Sequence, residues 1–289
     1  MIIEQELLQC VVFIGVFHPD DGTYTICGSG FAYGHDLGNG TADPCYVVTA
    51  KHVIDQIRGR GADRVWFRVN TKDGQARWIP TEYPLWRFPI DKTVDAAACP
   101  AAFEKSDEIS VFPDSWSLPK ARPDGGSLLL GDDMFLAGFF SRHYGNDRNV
   151  PIVRVGSLAC TTIEEIQTKA FGKTKGYLIE CRSIGGLSGS PVFLNPGGKF
   201  VGNSIVFGGR PLLIGLIHGH FDDELSRDVS DDSVNGGRQV NVGIAVVTPI
   251  AAVHEFLNLT PFRRDLTIQT VGCPARLTFK GSPLGDCAR

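Results

Sequence analysis

Gly185-Gly186-Leu187-Ser188-Gly189-Ser190-Pro191-Val192-Phe193 is the stretch on which the reading of this chain turns. Its glycines and serines form a tight turn, and Pro-Val-Phe behind them opens an apolar run. Glycine lets the backbone take positive φ and aim its N–H groups at one point. A serine at the apex of such a turn is exposed, and the surrounding amides could hold a negatively charged oxygen. A plain Gly/Ser loop between two strands has the same composition, so the remaining residues must separate the two.

The 289 residues suit one large domain or two smaller ones packed together. With 43% hydrophobic and 21% charged residues the chain can bury an ordinary core. A formal net charge of −4 argues against a general affinity for nucleic acid. Gly 34 and Pro 17 beside Met 2 predict many turns and short strands rather than a helical bundle.

The N-terminus, Met1-Ile2-Ile3-Glu4-Gln5-Glu6, has acids where a signal peptide has bases, and residues 10–17 read as a first strand. No apolar run approaches the ~20 residues needed to span a bilayer. The expectation is a soluble, intracellular (cytoplasmic) protein without membrane or nucleic-acid partners. Cysteines 10, 27, 45, 99, 160, 181, 273 and 287 are scattered, several within apolar strands, and none has zinc spacing. Buried free thiols are expected rather than a disulfide framework.

Strand-like runs at 10–17 and 23–33 flank a turn and read as a hairpin. Gly28-Ser29-Gly30-Phe31 lies within the second, and a glycine bulge fits it better than a phosphate loop. Tyr46-Val47-Val48-Thr49-Ala50 is a compact buried strand leading into a short helical turn at 51–57. Strands follow at 64–69, 76–79 and 94–99. Residues 104–126 carry three prolines and read as a linker. The rhythm resumes at 134–140, 152–160, 176–181, 190–193, 212–217 and 239–247, with loops at 145–149 and 222–237. Pro249 opens a helix over 250–257, and the tail beyond has one strand-like run, 266–271. The expected architecture is all-β, two units of similar size joined by a linker.

A serine is a poor nucleophile unless a base removes its proton and a third group orients that base. Of seven histidines, His52 alone follows directly on a buried strand, which would fix it at the inner edge of a domain. Asp95 sits at the mouth of the small-residue run 94–99. His52, Asp95 and Ser188 come from separate loops in the order His, Asp, Ser. An α/β-hydrolase elbow is excluded: it requires Gly-x-Ser-x-Gly, its last glycine is Ser190 here, and its residue order differs.

Thr49-Ala50-Lys51-His52-Val53, Val94-Asp95-Ala96-Ala97 and Gly186-Leu187-Ser188-Gly189-Ser190-Pro191 resemble the three motifs of trypsin-like, chymotrypsin-fold serine proteases. The intervals of 43 and 93 residues resemble that family's layout. In detail the chain looks closest to the bacterial branch with Gly-x-Ser-Gly-Ser-Pro, which includes glutamyl endopeptidases and relatives of the HtrA proteases. The resemblance covers residues 11–257 and implies two six-stranded antiparallel β-barrels, a short C-terminal helix and an extra tail. It places His52 and Asp95 in a first barrel (1–115), Ser188 in a second (116–257), and leaves 258–289 as an extension. It implies a His52–Asp95–Ser188 triad that hydrolyses peptide bonds through an acyl-enzyme. The Gly186 and Ser188 amides would form the oxyanion hole, and no metal or cofactor is expected. By the same resemblance the substrate pocket falls on Arg182, Ser183 and His218, a set that favours an acidic residue before the cut.

Two departures stand out. Leu187 occupies the position where zymogen-made relatives carry an acid, and Val53 the position of a cysteine that many relatives bridge to the equivalent of Cys27. The chain therefore looks active as made, or controlled by something other than N-terminal processing, and suited to a reducing compartment. Two other classes remain open: a protease-fold binding module with a silent site, and an esterase on the same fold.

Overall fold

The computed structural model describes residues 3–36, 44–118, 128–161, 164–168, 172–181, 186–195, 197–201, 204–207, 209–224 and 239–259. A one-turn helix, α1 (Gln5–Leu8), precedes the first sheet. That sheet holds β1 (Val11–His18), β2 (Thr23–Gly34), β3 (Cys45–Thr49), β4 (Arg64–Asn70), β5 (Ala76–Glu82), β6 (Ala97–Pro100) and the two-residue β7 (Phe112–Pro113). Its order is β5-β4-β1-β2-β3-β6, with β7 beside β2. The expected hairpin is present: β1 pairs antiparallel with β2, from Val11 opposite Phe31 to His18 opposite Thr23.

The second half adds β8 (Asp133–Gly138), β9 (Ile152–Thr161), the hairpin β10 (Ile166–Thr168) and β11 (Gly172–Thr174), β12 (Tyr177–Glu180) and β13 (Pro191–Leu194). A second hairpin, β14 (Gly198–Val201) and β15 (Ser204–Phe207), leads to β16 (Leu212–Glu224) and β17 (Gln239–Pro249). Six of these close into a barrel in the order β12-β17-β16-β13-β8-β9. Closure satisfies the strand edges that an open sheet leaves exposed. The fold is all-β with a closed six-stranded antiparallel barrel, a second curled sheet and few helices.

Strand 94–99 begins later than expected. Val94 and Asp95 precede β6, whose first residue is Ala97, so Asp95 lies on the approach to the strand. Residues 104–118 do not behave as a loose linker, because Ile109, Val111, Phe112 and Trp116 are buried in the first core. Asp222 to Glu224, expected in a loop, extend β16 and pair with β17. The rest of that loop, and the tail beyond Leu259 with its strand-like run, lie outside the described residues.

Two helices matter for the site. In α2 (Lys51–Gly59), Val53, Ile54 and Ile57 share one buried face with His52, which makes the expected turn a nine-residue amphipathic helix. In α3 (Ile250–Leu259), residues 250, 253, 254 and 257 bury one face at helical spacing. Ile250, Val253, Phe256 and Leu257 join the core of the first sheet, so this last element of the second half fastens the two halves together. No helix among the described residues is long and apolar enough to cross a membrane.

Candidate active site

The helix start at Ala50 sets the geometry. Alanine offers no side-chain oxygen to the free amides of a first turn. That role passes to a residue 43 positions away: Asp95 Oδ1 accepts the backbone N–H of His52 at 2.9 Å. The other carboxylate oxygen, Oδ2, lies 2.7 Å from His52 Nδ1. One carboxylate thus caps the helix and aligns the ring it carries. Because Nδ1 faces an anion it bears the proton, which leaves the lone pair on Nε2.

A second imidazole shares that carboxylate. His218 on β16 is 1% exposed, and its Nδ1 lies 2.6 Å from Asp95 Oδ2. The rings of His52 and His218 meet edge to face at 5.7 Å. Burial of Asp95 opposes ionisation, but hydrogen bonds from His218 and His52 overcome it and hold the carboxyl below the usual carboxylate range.

Ser188 comes from the other half of the molecule. Its turn is built on two glycines with positive φ, Gly186 at 99° and Gly189 at 83°. A Cβ on Gly189 would stand 2.2 Å from the Ser29 carbonyl and 2.3 Å from Thr49 Oγ1. The turn is held from both sides. Gly189 N–H donates to the Ile217 carbonyl at 2.8 Å, and Ser190 N–H to that of Leu187 at 2.9 Å. Ser29 N–H donates to the Ser188 carbonyl at 2.9 Å, and Ser29 Oγ to that of Gly186 at 2.9 Å. Ser188 Oγ itself donates to the His218 carbonyl at 3.4 Å. His218 therefore touches both ends of the constellation, Asp95 through its ring and Ser188 through its backbone.

The structure brings His52 and Asp95 into direct contact, with His218 bridging to Ser188 and Gly186 in the same turn. Arg182 and Ser183, expected in the substrate pocket, lie outside the described residues. His218, expected in the substrate pocket, lines a cleft with His52 and Asp95 and has Nδ1 2.6 Å from the Asp95 carboxylate, a contact the sequence could not display. Ser29 supports the Ser188 turn, a role the sequence reading does not give it. The small residues around it, Gly28 and Gly30, were the available signal of close backbone approach.

Two groups of described residues bring ligand-type atoms within 4.8 Å of one another: His52, Asp95 and His218, and His35, Asp114 and His254. The second group links the halves. Tyr33 hydroxyl contacts both Asp114 Oδ1 and His254 Nε2. His254 Nε2 lies 3.0 Å from Asp114 Oδ1, and His35 Nε2 lies 2.9 Å from Asn258 Oδ1. Among the described residues Cys10, Cys27, Cys45, Cys99, Cys160 and Cys181 form no disulfide.

In fold the chain is similar to the protease domain of MamO from Magnetospirillum magneticum, with a TM-score of 0.52, 15% identity, and 88% of this chain and 98% of that chain covered. It also matches Deg5, with a TM-score of 0.49, 16% identity, and 87% of this chain and 88% of that chain covered. A third match is the HtrA-type protease AlgW with a decapeptide, with a TM-score of 0.48, 15% identity, and 87% and 64% covered. No protein-family model matches the sequence, and no curated protein matches it. The chain has a chymotrypsin-like fold, which it shares with the MamO protease domain.

Proposed function

We propose that this chain is a serine endopeptidase in which His52, Asp95 and Ser188 form a catalytic triad. The observation that carries the reading is the double engagement of Asp95, which binds both the amide and Nδ1 of His52. A structural helix cap would need only the first. The second sets the tautomer that leaves Nε2 basic.

His52 takes the proton of Ser188 Oγ as that oxygen attacks a peptide carbonyl. The amides of Gly186 and Ser188 receive the negative charge of the tetrahedral intermediate, each such donor contributing about 2.7–4 kcal/mol. His52 then protonates the leaving amine, and water hydrolyses the acyl-enzyme by the reverse sequence of proton transfers. Asp95 stays ionised throughout and stabilises the imidazolium.

A fluorophosphonate probe tests the reading, since it reacts only with an activated serine. Labelling of the wild-type chain, its loss in Ser188→Ala, and cleavage of a casein or peptide library by the wild type support it. Absence of labelling and of cleavage in folded protein overturns it in favour of a binding module, and ester turnover without peptide cleavage would make the chain an esterase.

A further inference from the structure

A cleft of about 690 Å³ opens against the nucleophile turn and is bounded there by Gly186. Three arginines line it: Arg60, just beyond α2; Arg142, after β8; and Arg154, on β9. Phe139 and Phe140 supply part of its apolar wall, and no carboxylate lines it among the described residues. In a chain of net charge −4 this is a local reversal of sign. Among the described residues the cleft shares no lining residue with the smaller one over His52, Asp95 and His218.

The three guanidinium groups carry no ion pair among the described residues, and Arg60 Nη1 reaches only the Cys27 sulfur, at 3.8 Å. Arg154 is half-buried, and its Nε is shielded from solvent with no hydrogen-bond partner among the described residues. A shielded guanidine N–H without an acceptor has given up its water for nothing, a cost removed when an anion arrives. Like charges gathered on apolar walls concentrate field in the cleft and attract the opposite sign. Arginine's planar fork matches a carboxylate, and each charge-assisted bond exceeds a neutral one.

We propose that this cleft binds a carboxylate of a polypeptide lying across Ser188, with Arg154 the specificity-determining residue, so that the protein selects acidic polypeptides. The inference rests on the peptidase reading for the chemistry of its ligand, and it assigns acidic selection to arginines other than Arg182. The carboxylate comes either from a Glu or Asp side chain or from the free C-terminus of the bound chain.

The test uses the full chain carrying Ser188→Ala, so that binding is measured without turnover. Fluorescence anisotropy compares three nine-residue peptides: one with Glu flanking its centre and an amidated C-terminus, its Gln counterpart, and the Gln peptide with a free C-terminus. Binding of the Glu peptide about tenfold or more tighter than its Gln counterpart identifies a side-chain carboxylate. The same gain for the free C-terminus alone identifies the terminal carboxylate. Arg154→Met is expected to reduce either preference to less than about threefold. Arg142→Met is the second variant should Arg154→Met fail to fold, and it is expected to weaken the same preference.

Equal affinity for all three peptides overturns the inference, as does a preference unchanged in folded Arg154→Met. Fluorophosphonate labelling of the parent chain, with Ser188 intact, separates the two readings. Labelling without carboxylate preference removes the cleft assignment alone, whereas Arg154-dependent preference without labelling removes the peptidase reading alone.

Discussion

His218 Nδ1 lies 2.6 Å from Asp95 Oδ2, the same oxygen that stands 2.7 Å from His52 Nδ1. One carboxylate oxygen thus stands close to two imidazole nitrogens, one from each half of the molecule. The first partner is proposed to move protons. The second fixes where the carboxylate can point, and its backbone carbonyl accepts from Ser188 Oγ at 3.4 Å.

Replacing that second donor separates positioning from packing. His218→Ala is expected to lower kcat about 10–100-fold with KM little changed, because the carboxylate loses a buried anchor that supports the base. Asn offers an N–H near the place of Nδ1, so His218→Asn should recover most of the loss. Steady-state kinetics on one peptide substrate check both. Equal losses in the two variants would point to packing alone.

Asp95→Asn removes the anion that sets the His52 tautomer, and kcat should fall by about 10⁴. The carboxyl is held below the usual range, so its ionised form persists well into acid. A kcat/KM profile of the wild type between about pH 5 and pH 9 should therefore contain no step from the titration of Asp95 itself. Any stability that Asp95 contributes is present above its unfolded pKa of about 3.9 and disappears only as pH falls through the depressed folded value.

Asp114 is the buried centre of a network joining β2, the segment after β7 and α3. Burial raises its pKa, but hydrogen bonds from His254 and Tyr33 outweigh that and bring it from 3.8 to about 2. The depressed value means a contribution to stability of about 2 kcal/mol above pH 4, lost as pH falls from about 4 to 2. Asp114→Asn should remove that pH dependence and lower stability at pH 7 by a similar amount, read from urea unfolding at several pH values.

Gly189 has φ 83° and no room for a Cβ beside the Ser29 carbonyl and Thr49 Oγ1. Gly189→Ala must therefore displace the nucleophile turn, at a cost of about 1–2 kcal/mol for the backbone conformation before any clash. Fluorophosphonate labelling should be abolished while the circular dichroism spectrum of the β-sheets persists. Labelling at the wild-type rate would contradict the proposed constraint.

Burial pushes the thiols of Cys10 and Cys99 up to about 12; it also raises that of Cys27, but Cys27 and Cys160 are partly exposed and open to reagent. The thiolate is the reactive form. N-ethylmaleimide at pH 7 should modify Cys27 and Cys160 in the native protein, and Cys10 and Cys99 only after denaturation, as mass spectrometry of the digested chain would show.

Local patterns made much of this molecule legible. Alternation and turn residues marked most strands, since a strand's period of two is written in adjacent positions. The turn at Ser188 was visible because positive φ demands glycine. The start of β6 was missed because Val94 to Cys99 is uniformly small and apolar apart from Asp95, which gives no signal of where pairing begins. The packing of residues 104–118 was hidden by their prolines, which mark breaks in hydrogen bonding but not burial.

By itself the sequence determined the all-β class, the order His52, Asp95, Ser188, and the glycine turn that presents the serine. Each depends on neighbouring residues or on a motif whose parts are contiguous. Only the tertiary structure decided that Asp95 caps the helix bearing His52, that His218 closes on the same carboxylate, and that Arg60, Arg142 and Arg154 share one cleft. Those contacts join residues dozens to more than a hundred positions apart, and barrel closure and the docking of the two halves bring them together. The Ser188 turn thus took its shape from its own glycines and its surroundings from the rest of the fold.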